Sequence, residues 1–179
     1  MAQEFFSKNT PPIVRQADQE ILGAIAEGSQ NRLIFDAEAT SGLAGALEIR
    51  LAVGAHGASP HLHKKSGELF YVVAGKVEVL CDEAVLTVAE GDTFFVPPRT
   101  IHAFGAAPDS SARLFSVLTP GTQRFEYFRL LDAVERGEAD RSALAESQEQ
   151  YDNYFVKSLV WEQHRAVARK SVPNATSAV

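Results

Sequence analysis

Between His61 and His102 the chain places three imidazoles and one carboxylate at spacings that suit a divalent transition metal. His61 and His63 stand two apart in P-H-L-H, so on a strand both side chains leave the same face. Glu68 follows Lys64-Lys65-Ser66-Gly67, a polar stretch whose glycine marks a turn or bulge, and the next strand can return its carboxylate to the same place. His102 lies beyond a second apolar run and a Pro97-Pro98 step. An H-x-H pair alone recurs by chance. A glutamate at a short offset, a glycine seven residues later and a proline-led segment ending in histidine make it a ligand set. Nitrogen and oxygen donors without sulfur suit one Fe, Mn, Ni, Co, Zn or Cu ion per chain, with coordination positions left for water, substrate or dioxygen. Cys81 stands outside the pattern.

These residues need a strand scaffold, and the surrounding sequence has strand texture. Leu47, Ile49, Leu51 and Val53 alternate with polar or small residues and share one face. Val77–Cys81 and Ala84–Val88 flank Asp82-Glu83 as a two-residue hairpin, and Arg113–Leu118 is a further strand. After their first residues, runs 68–73 and 93–96 are apolar on both faces, so something covers the outside of that sheet, either another element or a second subunit. Thr100 and Phe104 share the parity of His102, and Phe70 and Val72 that of Glu68. Phe70, Thr100 and Phe104 are therefore candidate walls of a small-molecule pocket, while Val72 reads as plain core. His56, in G-A-H-G, reads as a surface loop residue, and Arg50 as part of an outer face with Glu48 and Ala52.

The two segments resemble the paired motifs of the cupins. The first family motif runs approximately G-x5-H-x-H-x3/4-E-x6-G, and His61-x-His63-x4-Glu68-x6-Gly75 is similar to it, with Ala55 in place of the opening glycine. The second runs approximately G-x5-P-x-G-x2-H-x3-N, and Gly91-x5-Pro97-x-Arg99-x2-His102-x3-Ala106 is similar, with Arg99 for the second glycine and Ala106 for the asparagine. Fifteen residues, Lys76 to Glu90, separate the motifs. Neither departure touches a ligand, but Arg99 replaces a residue that relaxes a tight bend. From about Ile34 to Leu131 the chain looks like single-domain cupins related to bacterial quercetin 2,3-dioxygenases. The resemblance implies an all-β fold, a jelly-roll barrel of two antiparallel sheets with flanking C-terminal helices.

The expected organisation is an N-terminal extension packing on the barrel (1–31), the barrel (32–119), a C-terminal helical segment (120–170) and a flexible tail (171–179). Asp18–Ala26 reads as a short helix before a strand at Arg32–Phe35. From Thr122 to Gly137, Phe125, Phe128, Leu131 and Val134 recur every three residues as a helical stripe that would pack on the barrel. Asp140 is placed to cap a helix over Arg141–Gln150, and a last helix runs through W-E-Q-H-R-A-V-A-R-K with His164 solvated.

At 179 residues and 45% hydrophobic content, the chain suits one domain with a substantial core. A net charge of −6 argues against nucleic acid, which calls for a basic stripe. No stretch approaches the roughly eighteen apolar residues of a membrane span. The N-terminus has no signal-peptide pattern and Cys81 has no disulfide partner, so the expectation is a cytoplasmic protein.

The resemblance implies a metal-dependent dioxygenase of the quercetinase-like kind, acting on an enolic or phenolic small molecule. His61, His63, Glu68 and His102 would hold the metal, and Glu68 would also accept the substrate proton. The same site would serve a metal-assisted isomerase, cyclase or decarboxylase, or a cupin that binds a small ligand without turning it over. The family habit and the double-faced strands imply a two-fold homodimer.

Overall fold

The computed structural model describes residues 13–170, without the side chains of 168–170, so the sequence expectations for 1–12 and for the tail at 171–179 lie outside the described residues. Among the described residues, ten strands form one curled antiparallel sheet: β1 (Ile21–Ala24), β2 (Ser29–Phe35), β3 (Gly45–Leu51), β4 (His61–Leu62), β5 (Gly67–Cys81), β6 (Ala84–Ala89), β7 (Thr93–Val96), β8 (His102–Ala106), β9 (Ala112–Thr119) and β10 (Tyr154–Phe155). Four α-helices among the same residues follow or flank it: α1 (Phe125–Glu135), α2 (Ser142–Glu146), α3 (Gln148–Tyr151) and α4 (Leu159–Lys170). This is the expected jelly-roll architecture with C-terminal helices.

The long strand β5 makes the two walls from one piece of chain. Its first half pairs with β9 and β7, and its second half with β6 and β8. The change of partner falls where the register shifts between Val72 and Ala74, next to Gly75. Gly75 has φ +75°, and a Cβ there would lie 1.9 Å from the Ser111 carbonyl oxygen, so the bend needs glycine. Between the walls, Leu47, Ile49, Leu51, Phe70, Val72, Val79, Phe104, Leu114 and Leu118 belong to one buried core. Alternation along β3 and β9 delivers these apolar side chains inward.

Val53 does not share the inward face of Leu47, Ile49 and Leu51. The strand ends at Leu51, and Val53 is 62% exposed in the turn ahead of Gly54 (φ +66°). Asp18–Ala26 is not a helix either. It is strand β1 between two 3-10 turns, Gln16–Asp18 and Ile25–Glu27. Gly23 (φ +72°) disfavours a helix here, and pairing with β2 together with a Gly23 N–H bond to Asp132 Oδ1 at 2.9 Å holds the strand. The expected helix over Arg141–Gln150 is broken into α2 and α3 at Ser147, whose hydroxyl bonds the Leu144 carbonyl at 3.0 Å. Asp140 does accept from the Ser142 N–H, at 2.7 Å.

The Asp82-Glu83 hairpin forms as read, with Cys81 opposite Ala84 and Asp82 at φ +50°. Arg99 adopts φ +69°, the conformation for which the resembling motif carries glycine, and its N–H donates to the His63 carbonyl at 2.6 Å. At the start of α1, both carboxylate oxygens of Asp36 accept backbone N–H groups, from Arg124 at 2.9 Å and from Phe125 at 3.3 Å. That fixes how the helix leaves the barrel. No helix among the described residues is long and apolar enough to cross a membrane.

Candidate metal centre

Three strands, β4, β5 and β8, deliver the four candidate ligands. His61 on β4 is the direct cross-strand partner of His102 on β8. His63 lies just past the end of β4, and Glu68 is the second residue of β5. All four are buried, and one ligand atom from each lies within 4.8 Å of the others. The imidazole centroids are 4.1 Å apart for His61 and His102, 4.9 Å for His61 and His63, and 5.1 Å for His63 and His102.

Each imidazole is held by its far nitrogen. The Nδ1–H groups of His61, His63 and His102 donate to the backbone carbonyls of Ser59 (2.8 Å), Asp152 (2.6 Å) and Thr100 (3.0 Å). A neutral imidazole so tied presents Nε2 as a lone pair. Glu68 Oε2 lies 3.3 Å from Nε2 of both His63 and His102, so acceptors face acceptors across the centre. A cation relieves that arrangement, and back-bonded imidazoles are the usual support of metal-binding histidines. The donor set therefore fits a divalent metal ion.

The electrostatics agree. Burial pushes His61 well below its usual pKa, with His102 and His63 adding to the effect, and burial followed by the Arg124 charge lowers His63, so both rings favour the neutral, ligating form. Burial alone would raise the Glu68 carboxyl, but a proton or cation held between it and Nε2 of His102 and His63 outweighs that and draws the group well below the ordinary carboxylate range. Its other oxygen, Oε1, accepts from Ser116 Oγ at 2.5 Å. Glu68 is thus an ionised candidate ligand, pinned on one side by Ser116.

Behind the centre lies a cavity of about 370 Å³, bordered by His61, Glu68 and Phe104 and by Leu47, Ile49 and Leu51 of β3. Its roof is the α1 stripe: Tyr127, Phe128, Leu131 and Val134 face into it, while Phe125 does not line it. The pocket reading needs two corrections. Phe70 is fully buried behind the wall, stacked on Phe94 at 4.7 Å and edge-on to Phe104 at 5.3 Å. Thr100 precedes β8 and contributes its carbonyl to His102 rather than a wall of the cavity. Phe104 does line it.

The remaining sequence candidates lie elsewhere. His56 is exposed, bridges to Gly105, and borders a separate cleft beside Trp161. Arg50 donates to Glu48 Oε1 at 2.8 Å on the outer face. His164 is not simply solvated, because its Nε2 lies 2.9 Å from Oε1 of the buried Glu78.

Several residues of the site escaped the sequence reading. Arg124, 7% exposed, sends one N–H to His63 Nε2 at 3.2 Å and another to Asn153 Oδ1 at 3.0 Å. Asn153 in turn donates to the Tyr127 hydroxyl at 3.2 Å. Asp152 accepts the backbone N–H groups of Lys64, Lys65 and Ser66 at 2.9, 2.9 and 3.2 Å, shaping the turn between His63 and Glu68. Ser116 carried a readable signal, since it interrupts the inward series Leu114, Ser116, Leu118 with a hydroxyl. The partners of Arg124 and Asp152 lie 29 and 61, and 86 to 89, residues away and left no local mark.

Comparison with known proteins gives a family match over part of the chain and structures of similar fold. Residues 47–118 match the family described as Cupin domain. Among solved structures, an RmlC-like cupin from Shewanella frigidimarina NCIMB 400 is 25% identical with a TM-score of 0.52, over 64% of this chain and 94% of that one. KdgF from Halomonas sp. is 20% identical with a TM-score of 0.50, over 60% and 94% of the two chains. The Fe(II) form of HppE is 19% identical with a TM-score of 0.50, over 59% of each. No curated protein matches the chain in sequence.

Proposed function

We propose that the cavity beside residues 47–118, the part of the chain that matches the Cupin domain family, is the active site of a metal-dependent dioxygenase acting on an enolic or phenolic small molecule. One observation carries the reading: three imidazoles tied back through Nδ1, together with an ionised glutamate, turn their lone pairs on one point at the end of a mostly apolar cavity. When bound by His61, His63, Glu68 and His102, a divalent transition metal ion supplies a Lewis acid that favours the ionised form of an enol or phenol.

The chain's own residues do the rest. Leu47, Ile49, Leu51, Phe104 and Phe128 exclude water and hold an apolar ring or chain. Glu68 Oε2 accepts the hydroxyl proton, while Ser116 keeps the other oxygen in place. An enol or phenol hydroxyl is acidic enough to yield its proton to a carboxylate, whereas an aliphatic alcohol is not, which is why the proposed substrate is an enol or phenol.

A second reading, a metal-assisted isomerase, cyclase or decarboxylase, draws on the Arg124 guanidinium, which bonds His63 at the edge of the same cavity. A proton acceptor and a buried cation suffice to form and stabilise an enolate without oxygen. Oxygen consumption separates the two. Untagged protein loaded with each metal in turn is mixed with flavonols and simple enols. Uptake that disappears in a metal-retaining Glu68→Gln variant supports the dioxygenase. No uptake with any metal rejects it, and product or solvent-proton exchange under anaerobic conditions favours the second reading.

A further inference from the structure

Arg124 is charged, almost fully buried and under-partnered. An arginine does not shed its proton to escape burial, and a buried charge without a counter-ion is costly. Among the described residues its guanidinium makes two hydrogen bonds, to His63 Nε2 and Asn153 Oδ1, both uncharged acceptors, and its buried Nε has no partner. No carboxylate among the described residues stands within ion-pair reach. The group borders the cavity, held over the rings of Tyr127 and Phe128 with its carbon 5.3 and 5.7 Å from their centroids.

A metal ion would sharpen the imbalance. It would take the His63 Nε2 lone pair, so the N–H now given to His63 would join Nε in lacking an acceptor. The Glu68 charge offsets that of Arg124, leaving the ion's own charge uncompensated within the cavity. The other charged residues bordering it, Glu135 and Arg141, oppose each other on the exposed side.

We propose that Arg124 is an anion-recognition subsite. It would pair with a carboxylate or comparable oxyanion on the substrate, whose apolar body lies against Leu47, Ile49, Leu51, Phe104, Phe128 and Leu131. The substrate class is therefore an aromatic or long-chain organic acid. The assignment rests on the cavity being the substrate site as proposed above, and it deepens that reading.

The test is binding of phenylacetate against its uncharged isostere phenylacetamide, measured calorimetrically on the full-length chain after chelation and again after loading with Zn(II). The expected result is that the metal-free protein prefers the carboxylate by about tenfold or more. Arg124→Met should abolish the preference by weakening phenylacetate binding more than phenylacetamide binding, and Arg124→Lys should restore part of it. Should Arg124→Met fail to fold, the wild-type preference and the Arg124→Lys loss still decide the question. Equal affinities in the metal-free protein overturn the proposal. So does a preference seen only after Zn(II) loading, which assigns recognition to the ion. Either outcome leaves the dioxygenase reading to its oxygen-uptake test, and failure of that test leaves the binding preference intact.

Discussion

Asp152 holds His63 from 89 residues away, accepting its Nδ1–H on a backbone carbonyl at 2.6 Å while its carboxylate gathers the N–H groups of Lys64, Lys65 and Ser66. The residue sits at φ +51°, between α3 and β10, so the C-terminal segment orients one candidate ligand and shapes the turn leading to another. Asp152→Ala keeps the carbonyl but strands three N–H groups, each costing about 1–3 kcal/mol if buried and unpaired. The expected outcome is weaker Zn(II) binding, by about 10–100-fold on the scale of supporting-shell losses, with a lower Tm. Asp152→Asn, which tolerates the left-handed backbone and keeps one acceptor oxygen, should fall between it and the wild type. Unchanged Zn(II) affinity in Asp152→Ala would deny the support role.

Ser116 makes a similar contribution to Glu68. Ser116→Ala removes a charge-assisted hydrogen bond worth about 1.5–3 kcal/mol from a buried carboxylate. Metal affinity should fall, and it should fall further at mildly acid pH, because the carboxyl binds a proton more easily without its donor. Zn(II) titrations across pH check this, and identical curves for variant and wild type would count against it.

Glu48 gives the fold an acid-sensitive contact on the outer wall. Burial raises its carboxyl, but hydrogen bonds and charges from Arg113 and Arg50 more than offset this and hold it below the ordinary value of 4.5. A depressed folded pKa means the unfolded chain binds the proton more readily, so this contact stabilises fully above about 4.5 and is lost as pH falls through the folded value. Urea midpoints against pH should show a shallower acid decline in Glu48→Gln than in the wild type.

Arg99 invites a stabilising change. A non-glycine residue in the left-handed region costs about 1–2 kcal/mol, partly offset by the extra freedom glycine gives the unfolded chain. Arg99→Gly should therefore raise stability by about 0.5–1 kcal/mol without loss of metal affinity, since the His63 carbonyl is bonded by the backbone N–H. A lowered Tm would show that the Arg99 side chain matters more than its backbone.

On the outside of β5 and β7, Leu69, Tyr71 and Phe95 are 37%, 42% and 51% exposed. Leu69 pairs with Phe95, and on its other side with Val117. The α1 helix roofs the cavity, and among the described residues nothing fully covers this face. A second copy is the expected cover, so sedimentation should give a dimer that Phe95→Glu converts to monomer. A wild-type monomer at tens of micromolar would refute the dimer.

Much of the barrel and the grouping of the four candidate ligands was legible because both are local. Alternation marked β3 and β9, the Asp82 turn marked the hairpin, and the four ligands lie within two short stretches. What stayed hidden depends on distance along the chain. Gly23 turned an apparent helix into an edge strand through pairing with β2, and the α1 stripe looked like barrel packing until its neighbours across the cavity were known. Phe70 and Thr100 fail as walls for a related reason. Parity gives the side of the sheet but not the depth, and Phe104 stands in front of Phe70. Arg124 resembled any polar residue ahead of a helix, and its role arises from burial against His63 and Asn153.

Elemental analysis of the untagged full-length protein bears most directly on the centre itself. The expected result is close to one divalent transition metal ion per chain, lost together with metal affinity in His61→Ala combined with His102→Ala while the fold persists by circular dichroism. Folded wild-type protein that carries no ion and takes up none of Fe(II), Mn(II), Ni(II), Co(II), Zn(II) or Cu(II) would contradict the account.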